Sequence, residues 1–207
     1  MRVNKNNFIA VDTSGSYLTV IARKGEATYT LFEPNCAMQH SVRLMDAIET
    51  AAKEVSLCPQ ECDFFCAAVG PGSFTGIRIG ISTVKGLCGA TGKPALGVTS
   101  FAAFAYNAEG KALAVLPAGR GNYYVCGYDE NKEISYPPAF VAEEELLRLS
   151  HEYPVFSYEP LPVPYRKADP AAGLFAAVLA ANDSDFGDVG AFYLKKSQAE
   201  EEREARG

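Results

Sequence analysis

Apolar runs and turn sequences alternate along the first half of the chain, and their periods separate strands from helices. Phe8 to Asp12, Tyr17 to Ala22 and Glu26 to Phe32 are of strand length, and Thr13-Ser14-Gly15-Ser16 and Arg23-Lys24-Gly25 between them are turn sequences. This stretch predicts a three-stranded antiparallel meander. The period then changes. From Ser41 to Val55, Leu44, Ile48, Ala51, Ala52 and Val55 fall on one helical face, opposite Arg43, Asp46, Glu49 and Lys53, with Met45 widening the apolar stripe. Phe64 to Val69 is an unbroken apolar run, short enough for a buried strand. Ile77, Ile81, Val84 and Cys88 restore helical spacing up to the stop at Thr91-Gly92-Lys93-Pro94.

Between that strand and that helix lies Gly70-Pro71-Gly72-Ser73-Phe74-Thr75-Gly76. Two glycines flanking a proline give positive φ on either side of a fixed one, and Ser73 or Thr75 supplies a hydroxyl to cap the helix. The spacing is that of neither familiar phosphate loop. Gly76 is followed by Ile77 and Arg78 where a P-loop needs lysine, and Gly70, Gly72 and Gly76 are spaced one residue too far apart for a dinucleotide loop. Free backbone amides can still hold an anion there, and a connection that only packs is the alternative. Gly76 and Gly80, four residues apart and off the apolar face, predict a smooth strip for the close approach of a second helix.

The second half is less regular. Thr99 or Ser100 caps a short helix to Tyr106, Ala112 to Leu116 and Tyr123 to Tyr128 read as strands around Pro117-Ala118-Gly119-Arg120-Gly121-Asn122, and Glu143 to Leu149 and Ala171 to Ala181 read as helices. No repeat of fixed period is visible, and the charged stretch from Gln198 to Arg206 reads as a solvated tail.

With 207 residues there is material for one large or two small domains, and a net charge of -6 disfavours a chain that grips nucleic acid alone. No secretory leader and no membrane-length apolar stretch is read, so the expected location is cytoplasmic. The six cysteines are then expected as thiols. Cys58, Cys62 and Cys66 recur every four residues, but Pro59 interrupts them and Cys66 falls in the strand, which argues against a shared metal.

The run from Gly70 to Gly80, preceded by Phe8-Ile9-Ala10-Val11-Asp12-Thr13-Ser14 and by His40-Ser41 at a helix start, resembles the bacterial TsaB (YeaZ-type) family. The resemblance is strongest from Phe8 to Gly89, returns at Ala114 to Val125 and Phe192 to Gln198, and is weak from Asp129 to Gly187. It implies an α/β fold of the actin-like, Hsp70-like (ribonuclease H-like) group with two small subdomains, residues 1–98 plus 189–207 and residues 99–188. It implies a non-catalytic partner of TsaD in the threonylcarbamoyladenosine modification of tRNA beside the anticodon. TsaE is a further expected partner, tRNA is met only through the complex, the free chain is a homodimer, and ATP and divalent metal belong to the partners. Docking would use the first two helices, through His40, Leu44, Met45, Ile48, Gly76, Arg78, Gly80, Thr83 and Leu87, with Gly76 and Gly80 against a helix of another chain. Asp12-Thr13-Ser14 is placed like the first phosphate loop of actin-like proteins; the alternative is that Asp12 and Ser14 only bond the turn. Pro117 and Lys195 depart from the aspartate and arginine usual in the family.

The two histidines, His40 and His151, are far apart in sequence, and the residue four beyond His40 is Leu44, so the paired-histidine metal site that the resemblance attributes to TsaD cannot form on this helix. No His-Glu-x-x-His cluster and no Gly-x-Ser-x-Gly elbow occurs, so Ser73 has no nucleophile frame. His40 is either a helix-initiating residue or a titrating contact with a partner, and Arg78 either meets an anion or acidic partner or is an ordinary exposed arginine. The rival functions are an actin-like small-molecule kinase, for which no second phosphate loop is found, and an M22-type glycoprotease-like peptidase.

Overall fold

The structure is a computed structural model that describes residues 3–194; position 195 and the charged tail lie outside the described residues. The meander forms as β1 (Asn7–Asp12), β2 (Leu18–Lys24) and β3 (Ala27–Glu33), followed by α1 (His40–Glu54), β4 (Phe64–Gly70), α2 (Phe74–Thr91) and β5 (Ala95–Thr99). α3 (Ser100–Ala105) leads to a second set: β6 (Ala112–Gly119), β7 (Asn122–Tyr128), β8 (Ile134–Ala142), α4 (Glu143–Ser150), β9 (Val155–Ser157), β10 (Arg166–Lys167), α5 (Pro170–Ala180) and β11 (Phe186–Gly187).

These build two mixed sheets, ordered β11-β5-β4-β1-β2-β3 and β10-β9-β6-β7-β8. In each, three consecutive antiparallel strands are followed by a helix and then by a strand parallel to the first, β4 beside β1 and β9 beside β6. The molecule therefore carries the same half twice, as the two-lobed actin-like α/β fold requires.

Alternation along the strands sends side chains to two layers. On the first sheet, Ile9, Val11, Leu18 and Val20 pack under α1 and α2, against Leu44, Ile48, Ile77 and Val84. Phe8, Ala10 and Ile21 face the other way, into a core shared with α3, α5 and the inner face of the second sheet. α4 covers the outer face of the second sheet through Leu146 and Leu149. The expected boundary at residues 98 and 99 falls next to the junction of β5 and α3, while α5 and β11 lie against the first sheet. Five strands were not predicted, of which β9, β10 and β11 are only three, two and two residues long. β5 is short and interrupted by Gly97, and β8 contains Pro137 and Pro138, tolerated because β8 is an edge strand with register shifts against β7.

Candidate functional site

The glycine turn works as a clasp on the first hairpin. The Gly70–Pro71 peptide bond is cis, and Gly70 and Gly72 have φ of 103° and 156°, which strongly favour glycine. Ser73, not Thr75, caps α2, its Oγ accepting from the Gly76 amide at 3.2 Å. The Ser73 amide donates to the Ser14 carbonyl at 2.8 Å, and the Thr13 hydroxyl donates to the Gly76 carbonyl at 2.7 Å. The close approach is extreme: a Cβ on Gly72 would lie 2.3 Å from the Ser14 oxygen, on Gly76 1.9 Å from the Thr13 oxygen, and on Gly80 2.6 Å from Thr13 Oγ1.

Beneath the hairpin, Asp12 is fully buried and accepts from the Ser14 amide and hydroxyl, both at 2.7 Å, and from the Tyr17 hydroxyl at 3.1 Å. Ser14 Oγ also lies 2.9 Å from Ser100 Oγ. Burial pushes the Asp12 carboxyl above its ordinary range, against the pull of the Ser14 and Tyr17 hydrogen bonds, and burial followed by the Asp12 charge pushes the Tyr17 phenol well up. Asp12 thus bonds its own turn. His40 is 2% exposed, and its Nε2 lies 2.8 Å from the Tyr17 carbonyl, so that nitrogen carries the proton and ties the start of α1 to the same hairpin.

Above the hairpin, a cleft of about 840 Å³ separates the two sheets. Ser14, Gly15 and Ser16 line it from the first hairpin, Ser73 and Phe74 from the start of α2, Pro117 to Arg120 from the β6–β7 turn, and Tyr158 and Glu159 from the end of β9. The first hairpin therefore stands at the cleft. Ser16 Oγ donates to Glu159 across it. Among the described residues no group of three or more His, Cys, Asp or Glu side chains is placed to hold a metal.

The outer helices correct the expected docking residues. His40, Leu44 and Ile48 are buried under α1, and Gly76 and Gly80 abut Thr13 of their own chain, so none of these five offers a surface to a partner. Periodicity placed the two glycines off the apolar face, and the neighbour there is the first hairpin. Arg78 is exposed but engaged: its Nε donates to the Tyr193 hydroxyl at 3.0 Å, and Tyr193 stacks on Phe74. With Lys85 bridged to Asp188 at 2.9 Å and the Phe192 amide bonded to Val69, the segment from residue 188 to 194 straps one flank of α2. On the other flank, Ile79, Thr83 and Leu87 are half-buried and Gly86 has open space around it. On α1, Val42 is 73% and Met45 54% exposed. Met45, Thr83 and Leu87 thus remain of the expected set. The sequence reading missed Val42, Ile79 and Gly86; the last was recognisable as a helix-interior glycine with no turn to explain it.

The chain matches the model of the family described as TsaD, tRNA N6-adenosine threonylcarbamoyltransferase, over residues 32–185. It is 29% identical over 119 residues to the tRNA threonylcarbamoyladenosine biosynthesis protein TsaB of Bacillus subtilis, covering 56% of this chain and 52% of that one. It is 28% identical over 130 residues to the protein of that name from Escherichia coli, covering 59% and 56%. The alignments thus span about half the length of these curated relatives. Among solved structures, YeaZ from Pseudomonas aeruginosa superposes with a TM-score of 0.77 at 21% identity, over 91% of this chain and 100% of that chain, which establishes a shared fold. With the family model covering well over half of the sequence, the chain belongs to that family, as a TsaB/YeaZ-type member.

Proposed function

We propose that the chain takes part in tRNA threonylcarbamoyladenosine biosynthesis as a non-catalytic subunit that docks on a TsaD-type transferase. The carrying observation is on the two contacting outer helices: Val42 and Met45 stand exposed on α1, and on the flank of α2 away from the strap Ile79, Thr83 and Leu87 are only half-buried and Gly86 is unobstructed. Apolar side chains exposed together mark interaction surfaces, and a glycine with nothing above it lets a partner helix come close. In the absence of TsaD the same flank pairs two copies of the chain. TsaE joins the assembly, tRNA is met within it, ATP and divalent metal bind to the partners, and the complex works in the cytoplasm.

The test is co-expression with the cognate TsaD followed by size-exclusion chromatography. Wild type co-elutes. Gly86→Arg, placed in open space, stays folded and fails to co-elute, because an arginine buried at an interface without a partner costs several kcal/mol. Gly80→Arg loses stability instead, since its side chain meets Thr13. Unchanged co-elution of Gly86→Arg would put the partner elsewhere.

A further inference from the structure

The cleft is not needed for docking through α1 and α2, and its lining has a chemistry of its own. Half-buried aromatic rings line it from both lobes, Phe74 from the first and Tyr158 from the second. Both are braced. Tyr193 stacks on Phe74 with centroids 4.5 Å apart, and Tyr158 meets Tyr17 edge-on at 4.8 Å and Phe32 at 5.9 Å. Rings held in this way offer stacking surface at little entropic cost.

The charges are few. Arg120 is exposed at the tip of the β6–β7 turn, and its side chain has no hydrogen-bond or ion-pair partner among the described residues. Lys167 Nζ lies 5.2 Å from the Tyr158 ring centroid. Glu159, the carboxylate in the lining, is taken up by Ser16. A metal-bound triphosphate does not suit these walls: among the described residues no lysine lines them, and Asp12 is buried with its oxygens engaged by Ser14 and Tyr17. A flat base with a single phosphate beside it does suit them.

We propose that the cleft receives one unpaired nucleotide of a single-stranded RNA, its base against Phe74 and Tyr158 and its phosphate at Arg120, with Lys167 adding to the local positive field. The assignment rests on the tRNA-modification reading above and names where this subunit touches RNA. It also reconciles an acidic chain with an RNA role, since contact is confined to one lip.

The experiment is fluorescence anisotropy at low salt with a labelled short single-stranded RNA, on the isolated chain and on its complex with TsaD. The chain alone binds weakly and the complex more tightly. Arg120→Glu and Tyr158→Ala each weaken binding about tenfold or more, Arg120→Glu also reduces the salt dependence, and Tyr158→Phe retains wild-type affinity. Thermal melts of the variants separate lost binding from lost folding, and Arg120, exposed on its turn, keeps the test open if Tyr158→Ala unfolds. Absence of RNA binding, or binding indifferent to both variants, overturns the proposal. Adenosine monophosphate binding as tightly as the RNA also overturns it, by making the cleft a mononucleotide pocket. Failure here with TsaD still co-eluting leaves the docking reading intact; RNA binding without co-elution does the reverse.

Discussion

Replacing Gly76 by alanine separates two physical effects by their sign. On helix propensity alone the substitution stabilises, by up to about 1 kcal/mol. The surroundings oppose it. A Cβ at Gly76 falls 1.9 Å from the Thr13 oxygen and 3.1 Å from its carbonyl carbon, both backbone atoms that cannot rotate away. Reaching an ordinary contact of about 3.5 Å requires the hairpin to move by more than about 1 Å. Such a movement breaks the buried Thr13–Gly76 hydrogen bond of 2.7 Å and loosens the Ser73–Ser14 bond of 2.8 Å. Each buried polar group left unpaired costs about 1–3 kcal/mol, so the net expectation is a loss of about 2–5 kcal/mol. For a chain of this size that lowers Tm by roughly 5–15 °C. Urea and thermal unfolding followed by circular dichroism measure it, with Gly89→Ala, which has nothing within 4 Å, as the propensity control. A Gly76→Ala protein that melts at or above the wild-type temperature would refute the clasp.

Two further outcomes follow from burial. The Asp12 carboxyl is raised by desolvation, so the stability tied to its protonated form is complete below the unfolded value and lost as pH rises through the folded one. Asp12→Asn removes that loss, and its Tm relative to wild type should climb from about pH 4 upward; a gap that stays flat or shrinks would contradict the desolvation argument. Burial pushes the Cys62 thiol up to about 12 and Cys66 higher still, while Cys58 is exposed. Mass mapping after alkylation at mildly alkaline pH should find Cys58 modified in the native protein and Cys62 and Cys66 only after unfolding; rapid native labelling of Cys66 would show that β4 opens easily, and of Cys62 that the turn before β4 does.

The parts of the fold that were legible are those whose signal is local. Alternation and turn residues gave the β1–β3 meander, helical spacing gave α1 and α2, and the Gly-Pro-Gly run gave the strand-to-helix turn. What a period cannot report is the identity of the neighbour. Gly76 and Gly80 were correctly set off the apolar face, yet the group occupying that side is a hairpin 63 residues away along the chain. The same limit hid Tyr158, Glu159 and Arg120, which carry no motif and reach the cleft only because the second sheet brings them opposite the first hairpin.

The repeated half was invisible in the sequence for a related reason, and the divergence between its copies explains the cleft. Topology is preserved by a pattern of buried positions that many sequences satisfy, so the two sheets agree in strand order while their residues do not. The turns that follow the parallel strands differ most. In the first lobe β4 runs through Gly70-Pro71-Gly72 into α2, placing a helix start beside the Ser14 turn. In the second, β9 runs into Tyr158-Glu159-Pro160, and no helix begins until α5. One wall of the cleft is therefore a tight turn whose Ser14 and Ser73 amides are bonded within the first lobe, with Phe74 beside them, whereas the other presents a ring and a carboxylate already bonded across the gap. A cleft with a braced ring on each wall, Phe74 on one and Tyr158 on the other, is poorly matched to a chain of phosphates held between two loops, and well matched to a single base with its sugar and phosphate at the lip.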